Sequence, residues 1–323
     1  MRNIVVGVIY PGMEKFLSDY AGSINSQTTK DFELFLFDNQ FGWNEEAALL
    51  FERNVRVEVI PVSKELSSIV LVRKLMVEKL LGEEGVSNVI FTDTDDFFDK
   101  DRFKLTLETL EQEEVVFTDV VAVDREGKEL GVPMFLENVD RVFFKDLIDK
   151  NMLGFSHTAI KWKCLKEMFP YKDNLIIGDW WLFAGLLSKG LVAKKVEGTF
   201  TYYRQYGNNI AGMKKTFSEE EVWKGIEIKI AFYENLLNDL SGEKRDEING
   251  RLRGILRLKE QLSKGDKMQA FLRNLFIIPV FPFMLLWIID PIYIFFDKDN
   301  RRLSELISKT KVEQEYVVLY GAK

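Results

Sequence analysis

Through the first third of the chain, short apolar runs alternate with stretches that carry one apolar face at helical spacing. NIVVGVI (3–9) is a continuous, β-branched run, the pattern of a strand buried on both sides. Pro11 and Gly12 break it, and Phe16, Leu17, Tyr20 and Ile24 then recur at helical spacing within 13–27. FELFLFD (32–38) and VRVEVIP (55–61) read as a second and third strand, the latter stopped by Pro61. Ile69, Val72, Met76 and Leu80 place one apolar face on a helix over 66–81, and NVIF (88–91) is a fourth strand. This alternation predicts an α/β fold with a mostly parallel sheet covered on both faces by helices. Ligands of such sheets bind beyond the carboxyl ends of the strands. Asp38 and the acidic cluster Asp93, Asp95 and Asp96 all follow strand ends, so they are expected on one rim.

Beyond residue 100 the pattern loosens. Residues 113–124 read as a strand, 155–167 and 179–189 as helices, and 198–209 as a strand running into a polar loop. Ser218 with Glu221 forms a capping box that opens a helix to about Leu240. Ile248, Leu252, Ile255 and Leu262 form the stripe of another helix near 245–263. There is no internal repeat and no low-complexity linker.

Composition narrows the function classes. Of 323 residues, 46% are hydrophobic, enough for a sizeable core, and the net charge of −7 argues against general nucleic-acid binding. A single cysteine, Cys164, allows no intrachain disulfide and fits a reducing compartment. A single histidine, His157, excludes the multi-histidine zinc sites and leaves oxygen ligands as the route to any metal. The first ten residues read as a strand and are too short for a signal peptide.

The C-terminal part differs. Seven basic residues between Arg251 and Arg273 stand against Glu260 and Asp266, a local charge of +5. LFIIPVFPFMLLWII (275–289) follows, then Asp290, Pro291 and IYIFF (292–296). A spanning helix needs roughly 20 apolar residues. This run reaches that length only across an aspartate and three prolines, so a re-entrant or interfacial segment is expected, beside a basic patch suited to anionic lipid. A proline-broken core segment or a homo-oligomer contact is the plainer alternative.

The acidic stretch TDTDDFFDKD (92–101) poses a charge problem, because carboxylates this close repel and are costly to desolvate. Asp99 and Asp101 read as solvated residues opening the next helix, while Asp96 can belong to either group. Asp93 and Asp95 directly follow a buried strand, and two carboxylates one residue apart can aim at one Mg²⁺ or Mn²⁺ ion. An EF-hand is excluded, since Phe97 and Phe98 stand where that loop needs Asp or Asn and then Gly. A phosphatase of the haloacid-dehalogenase type also carries D-x-D after a strand, usually the first, and usually with Thr or Val where Phe97 stands here.

Five segments in order resemble family-2 glycosyltransferases of the GT-A (Rossmann-like) fold. SINSQTTKDFELFLFDN (23–39) resembles that family's opening, with Ser23, Gln27, Phe32, Glu33 and Asp38 at its positions. FTDTDD (91–96) resembles its D-x-D segment, GFSHTAIKWKCLKEM (154–168) the stretch before its catalytic acid, and GDWWLFAGLLSKG (178–190) the stretch containing it. TYYRQYGNNIAG (201–212) resembles the tail of rhamnosyltransferase-like members.

The resemblance covers roughly residues 3–212, and with the helical pattern and apolar run beyond it the expected division is a catalytic domain (1–215), a helical extension (216–270) and an apolar, membrane-associated segment (271–323). The resemblance implies that Asp38, Arg73 and Asp93 contact the nucleotide sugar, and that Asp95, with Asp93, holds the metal. Asp179 would be the general base, and Arg204 would stabilise the departing diphosphate. A carboxylate suits the base role if Trp180 and Trp181 partly desolvate it. The two tryptophans could instead stack on a sugar face or pack in the core. His157 could line the acceptor site or be a hydrogen-bonded structural residue. Three departures stand out: Lys74 replaces an asparagine, Gly178 a glutamate, and Tyr206 a histidine able to reach the metal.

The expected function is an inverting, metal-dependent, non-processive glycosyltransferase at the cytoplasmic face of the membrane. It would use a nucleoside-diphosphate sugar donor and a lipid-linked or polysaccharide acceptor. A D-x-D sugar phosphatase and a non-catalytic nucleotide- or glycan-binding relative are the alternatives.

Overall fold

The computed structural model of the chain describes residues 2–66, 68–131, 139–168, 171–206, 218–264 and 268. The expected membrane-contacting segment, 271–296, and the whole of the GNNIAG stretch, 207–212, lie outside the described residues.

The first part follows the alternation read from the sequence. Strand β1 (Arg2–Ile9) leads through helix α1 (Glu14–Asn25) to β2 (Glu33–Asp38), then through α2 (Glu45–Leu49) to β3 (Arg56–Pro61), and through α3 (Ile69–Gly82) to β4 (Val86–Phe91). β1 pairs in parallel with both β2 and β4, and β2 in parallel with β3. Ile4, Val5, Val6, Leu34, Phe35, Leu36, Phe37, Val89 and Ile90 are all fully buried, which accounts for the unbroken apolar runs. The runs end where the strands end, so Asp38 and the 92–98 turn do share one rim.

The second part is a mixed, interleaved sheet. It comprises β5 (Phe97–Phe98), α4 (Arg102–Gln112), β6 (Val115–Val123), β7 (Arg141–Val142), α5 (Phe144–Leu147), β8 (Thr158–Lys161), α6 (Trp162–Lys166), α7 (Gly178–Ser188) and β9 (Ala193–Arg204). The strand order is β3-β2-β1-β4-β8-β6-β9-β5, with β7 also on β9. β8 is antiparallel to both β4 and β6, β5 and β7 are antiparallel to β9, and β6 and β9 are parallel. The expectation of a mostly parallel sheet is therefore corrected to a mixed one. The expected helix over 155–167 is corrected to β8 followed by the short α6. The slot between β4 and β6 offers two open backbone edges, and pairing with both outweighs local helical spacing.

Helices α8 (Glu219–Leu237) and α9 (Gly242–Leu262) complete the described chain. Ser218 caps α8 as expected, accepting from Glu221 N while its own N–H donates to the Glu221 carboxylate. Ile226, Phe232, Tyr233 and Leu236 of α8 belong to the same apolar cluster as Trp180, Trp181 and Phe183 of α7. Among the described residues, no helix is long and apolar enough to cross a membrane.

Candidate active site

The turn after β4 keeps the two-residue period of the strand, and that period sorts its side chains. Thr92, Thr94 and Asp96 are buried, whereas Asp93 and Asp95 are partly exposed on the rim. The inward row is fully bonded. Thr92 Oγ1 donates to Val6 O at 2.9 Å and Thr94 Oγ1 to Val8 O at 2.8 Å, tying the turn to β1. Asp96 accepts from the Ser156 hydroxyl and, at 2.8 Å, from the backbone N–H of Arg204. Burial first, and then Asp95 and Asp93, push the Asp96 carboxyl well above the usual range. Asp96 therefore locks the turn to the end of β9. Asp99 and Asp101 open α4 as expected, yet both are bonded rather than simply solvated. Asp99 accepts from Asp101 N and Thr199 Oγ1, and Asp101 accepts from Thr28 Oγ1.

The outward row carries the charge. Asp93 pairs with Arg73 of α3, whose guanidinium lies 4.3 Å from the centre of the Phe155 ring. Lys74, next in the helix, instead pairs with Asp173 and Glu78. Asp95 Oδ2 accepts from Tyr206 Oη at 2.8 Å. Burial and then the neighbouring Asp93 charge raise the Asp95 carboxyl to about 6. A bound cation would relieve that penalty, and two hard oxygen donors suit Mg²⁺ or Mn²⁺. Among the described residues, no group of three or more acidic, histidine or cysteine side chains is placed to hold a metal ion together. The fit is to an ion held by one or two carboxylates, with water and substrate oxygens completing its shell.

Arg204 is placed differently from its expected role. It is 1% exposed, donates from Nε to Asp95 O at 2.8 Å, from Nη1 to Arg125 O at 2.5 Å, and from Nη2 to Asp19 Oδ2 at 2.6 Å. It also lies between the rings of Phe16 and Phe97. A guanidinium bonded on three nitrogens and closed off from solvent is a clamp on the acidic turn. The expected contact with a leaving diphosphate is corrected accordingly. Asp38 also serves the backbone, accepting from Phe41 N, Gly42 N and Trp43 N at 2.7, 3.2 and 2.8 Å. Those bonds order a loop in which Gln40 takes a φ of 65°.

Helix α7 presents the other half of the site. Every residue from Gly178 to Ser188 is buried except Asp179. Trp180 and Trp181 are 0% exposed. The Trp180 indole stacks on Phe232 at 3.9 Å and donates to Leu147 O at 2.6 Å, and the Trp181 indole donates to Asp239 at 3.2 Å. Both are core residues anchoring α8, and the reading that gave them a sugar face is corrected. Burial raises the Asp179 carboxyl to about 6, opposed by the nearby Arg73 charge and by bonds from Trp180 N (2.7 Å) and Asn151 Nδ2 (3.2 Å) to Oδ1. Oδ2 accepts no hydrogen bond among the described residues. A Cβ on Gly154 would lie 3.6 Å from it, so the missing side chain leaves that oxygen open.

His157 is 8% exposed, and its Nε2 lies 3.1 Å from Met152 O and 3.2 Å from Gly154 N. It donates to the first when it carries the proton and accepts from the second when it does not. Burial lowers its pKa to about 4. It is the hydrogen-bonded structural histidine, holding the 152–157 loop beneath Asp179, and the acceptor-lining alternative is set aside. Sequence reasoning missed Ser156, Asn151, Tyr171 and Asp19. The alternation of TDTDDF could have identified Asp96 as inward-facing, but the others reach the site only through tertiary packing.

No family model matches the sequence, and no curated protein matches it. Solved structures do resemble it. S. aureus TarS residues 1–349 in complex with UDP-GlcNAc superimposes with a TM-score of 0.56 at 16% identity, over 83% of this chain and 74% of that one. A mannosyltransferase from Pyrobaculum calidifontis in complex with GDP-Man and Mn²⁺ gives 0.55 at 11% identity, over 92% and 88%. GalNAc-T7 with UDP, GalNAc and Mn²⁺ gives 0.50 at 12% identity, over 63% and 44%. At these identities the likeness defines the fold: a mixed sheet flanked by helices in the Rossmann-like arrangement of these glycosyltransferases.

Proposed function

We propose that the protein is an inverting, metal-dependent, non-processive glycosyltransferase. It moves a sugar from a nucleoside diphosphate to a hydroxyl of a lipid-linked or polysaccharide acceptor. The observation that carries this reading is Asp179. It is the one residue of α7 that is not buried, its carboxyl is raised to about 6, and one of its oxygens is open. It stands within electrostatic reach of Arg73 and Asp93, in a fold shared with structures that hold nucleotide sugars.

In this reading Asp179 Oδ2 takes the proton of the acceptor hydroxyl, and the acceptor oxygen bonds to the anomeric carbon. The bond from that carbon to the diphosphate breaks, with its electron pair leaving on the phosphate oxygen. Attack opposite the leaving group inverts the anomeric centre. A base of pKa near 6 is deprotonated at neutral pH yet still basic enough to work. Asp95 and Asp93 hold the cation, which when bound supplies positive charge for the diphosphate. Arg73 orients Asp93, Arg204 fixes the turn that presents Asp95, and Asp38 keeps lone-pair capacity for the nucleotide base. The pairing of Asp93 with Arg73 favours a holding role over that of a phosphatase nucleophile.

Metal-dependent binding tests the donor site. At least one of UDP-glucose, UDP-GlcNAc, GDP-mannose and dTDP-rhamnose should raise the melting temperature with Mn²⁺ or Mg²⁺ and lose that effect in chelator. Equal protection in chelator would refute the role of Asp95. The acidic composition with one free cysteine, and the basic and apolar C-terminal stretch, support placement at the cytoplasmic face of a membrane. Ending the chain after residue 268 should move the protein from the membrane fraction to the soluble fraction, and retention on membranes would remove that part of the reading.

A further inference from the structure

Three buried polar atoms around Asp179 and Asp93 have no hydrogen-bond partner among the described residues: Arg73 Nη1, Asn151 Oδ1 and Tyr171 Oη. Their side chains belong to one cluster. Asn151 donates through Nδ2 to Asp179, Arg73 pairs with Asp93, and both Arg73 and Tyr171 lie close enough to Asp179 to shift its charge balance or have theirs shifted by it. Orphaned buried polar groups are uncommon, and each calls for a partner. A single ligand beside Asp179 that bonded all three would satisfy them together.

Tyr171 defines the cluster. The residue is 7% exposed, and its ring meets Trp181 edge-on at 5.4 Å. A Cβ built on Gly178 would lie 1.6 Å from the Tyr171 hydroxyl and 2.9 Å from the ring carbon that bears it. The phenol tip therefore occupies the space that any side chain at position 178 would need. Glycine at 178 is what lets the hydroxyl reach the start of α7, one residue from Asp179. The departure at 178 noted in the sequence is thus filled in space by a residue seven positions upstream.

The chemistry of the three atoms defines the occupant. Arg73 Nη1 offers a donor, Asn151 Oδ1 an acceptor, and Tyr171 a hydroxyl able to do either. Neighbouring hydroxyls on a sugar ring match such a mixed set, since each both donates and accepts. A bare anion would leave the Asn151 oxygen unpaired and would face Asp179.

We infer that Tyr171, Arg73 and Asn151 form a specificity pocket for the sugar ring of the donor, with Tyr171 as the residue that discriminates between sugars. The inference rests on the proposed nucleotide-sugar chemistry. Tyr171→Phe removes one oxygen without changing the packing of the ring. Loss of an unsatisfied buried hydroxyl should leave the melting temperature of the free protein unchanged or higher.

The test compares binding by calorimetry with Mn²⁺ of UDP-glucose, UDP-GlcNAc, GDP-mannose and dTDP-rhamnose, each against its own bare nucleoside diphosphate. The wild type is expected to bind one of these sugars at least tenfold more tightly than the corresponding diphosphate. Tyr171→Phe should keep the affinity for that diphosphate within about twofold and lose most of the tenfold preference, because a site built to bond a hydroxyl loses discrimination with the bond. An unchanged preference in Tyr171→Phe overturns the pocket and leaves the proposed function standing. A wild type that binds none of the nucleotides or nucleotide sugars in the presence of Mn²⁺ overturns the proposed function, and the pocket with it.

Discussion

The turn after β4 and the start of α7 each carry a desolvated carboxylate, and the two are held in opposite ways. Both oxygens of Asp96 are bonded, to Ser156 and to the backbone of Arg204, and the Arg204 side chain is itself bonded on three nitrogens. Asp179 has one oxygen bonded and one open, and the polar atoms beside it lack partners. Two desolvated acids, one buried and one half-buried, thus sort by how completely their neighbours are satisfied. A closed network rigidifies, while an open one waits for something to close it. The raised pKa of each, taken alone, would not have separated them.

The largest effect should come from the open side. Asp179→Asn removes the proposed base while keeping the bonds to Oδ1, so transfer should fall by about 10²–10⁴. Metal-dependent binding of the nucleotide sugar should persist. In the wild type the rate should rise with pH through about 6 and then level, because only the ionised carboxylate accepts a proton. A transferring Asp179→Asn variant would erase the distinction between the two sites.

Breaking the closed side should cost stability first. Arg204→Met leaves the Asp95 and Arg125 carbonyls and the Asp19 carboxylate without their donor, for a loss of about 3 kcal/mol by denaturant titration. Donor binding should weaken as well, since the turn that presents Asp95 loses its clamp. Unaltered stability would mean that the network is ornamental. A smaller effect sharpens the case of His157. Its folded pKa of about 4 lies below the ordinary value, so the folded state resists protonation. The contribution of His157 to stability should be constant above about pH 6.5 and fall as pH drops towards 4, by no more than about 2–3 kcal/mol. The raised Asp95, Asp96 and Asp179 carboxyls give the opposite slope, so the effect is read as the difference between the wild type and a variant without the histidine. A His157→Gln variant should lack that histidine-specific slope, and an unchanged pH profile would rule out burial of the neutral ring as its source.

Much of this was legible before any coordinates. The runs at 3–9, 32–38 and 88–91 are buried on both faces, so hydrophobicity alone marks them, and their polar ends mark the rim. Asp179 came forward only through the resemblance of GDWWLFAGLLSKG (178–190), and its half-exposure on an otherwise buried helix is what the structure adds. The rest depends on pairings that no local pattern carries. Thr158–Lys161 is a strand because two edges await it, and Trp180 is core because Phe232, fifty-two positions later, lies flat against it. Arg204 could be recognised as important from its motif but not as a clamp, since its partners come from residues 19, 95 and 125. Tyr171 had no sequence signal beyond an unexplained glycine seven residues on.

The last strand of the sheet also sets the order of assembly. β9 pairs with β6 some eighty residues earlier, and its final residue supplies the N–H that Asp96 accepts. Contacts this distant in sequence form late and slowly. During synthesis from the amino terminus, the acidic turn is made long before its clamp has left the ribosome. An intermediate lacking residues 193–204 would carry the same aspartates without the bonds that hold them. If the rim holds a cation as proposed, its binding reports completion of the sheet, and a chain arrested short of Arg204 would hold its carboxylates but not the arrangement that presents them.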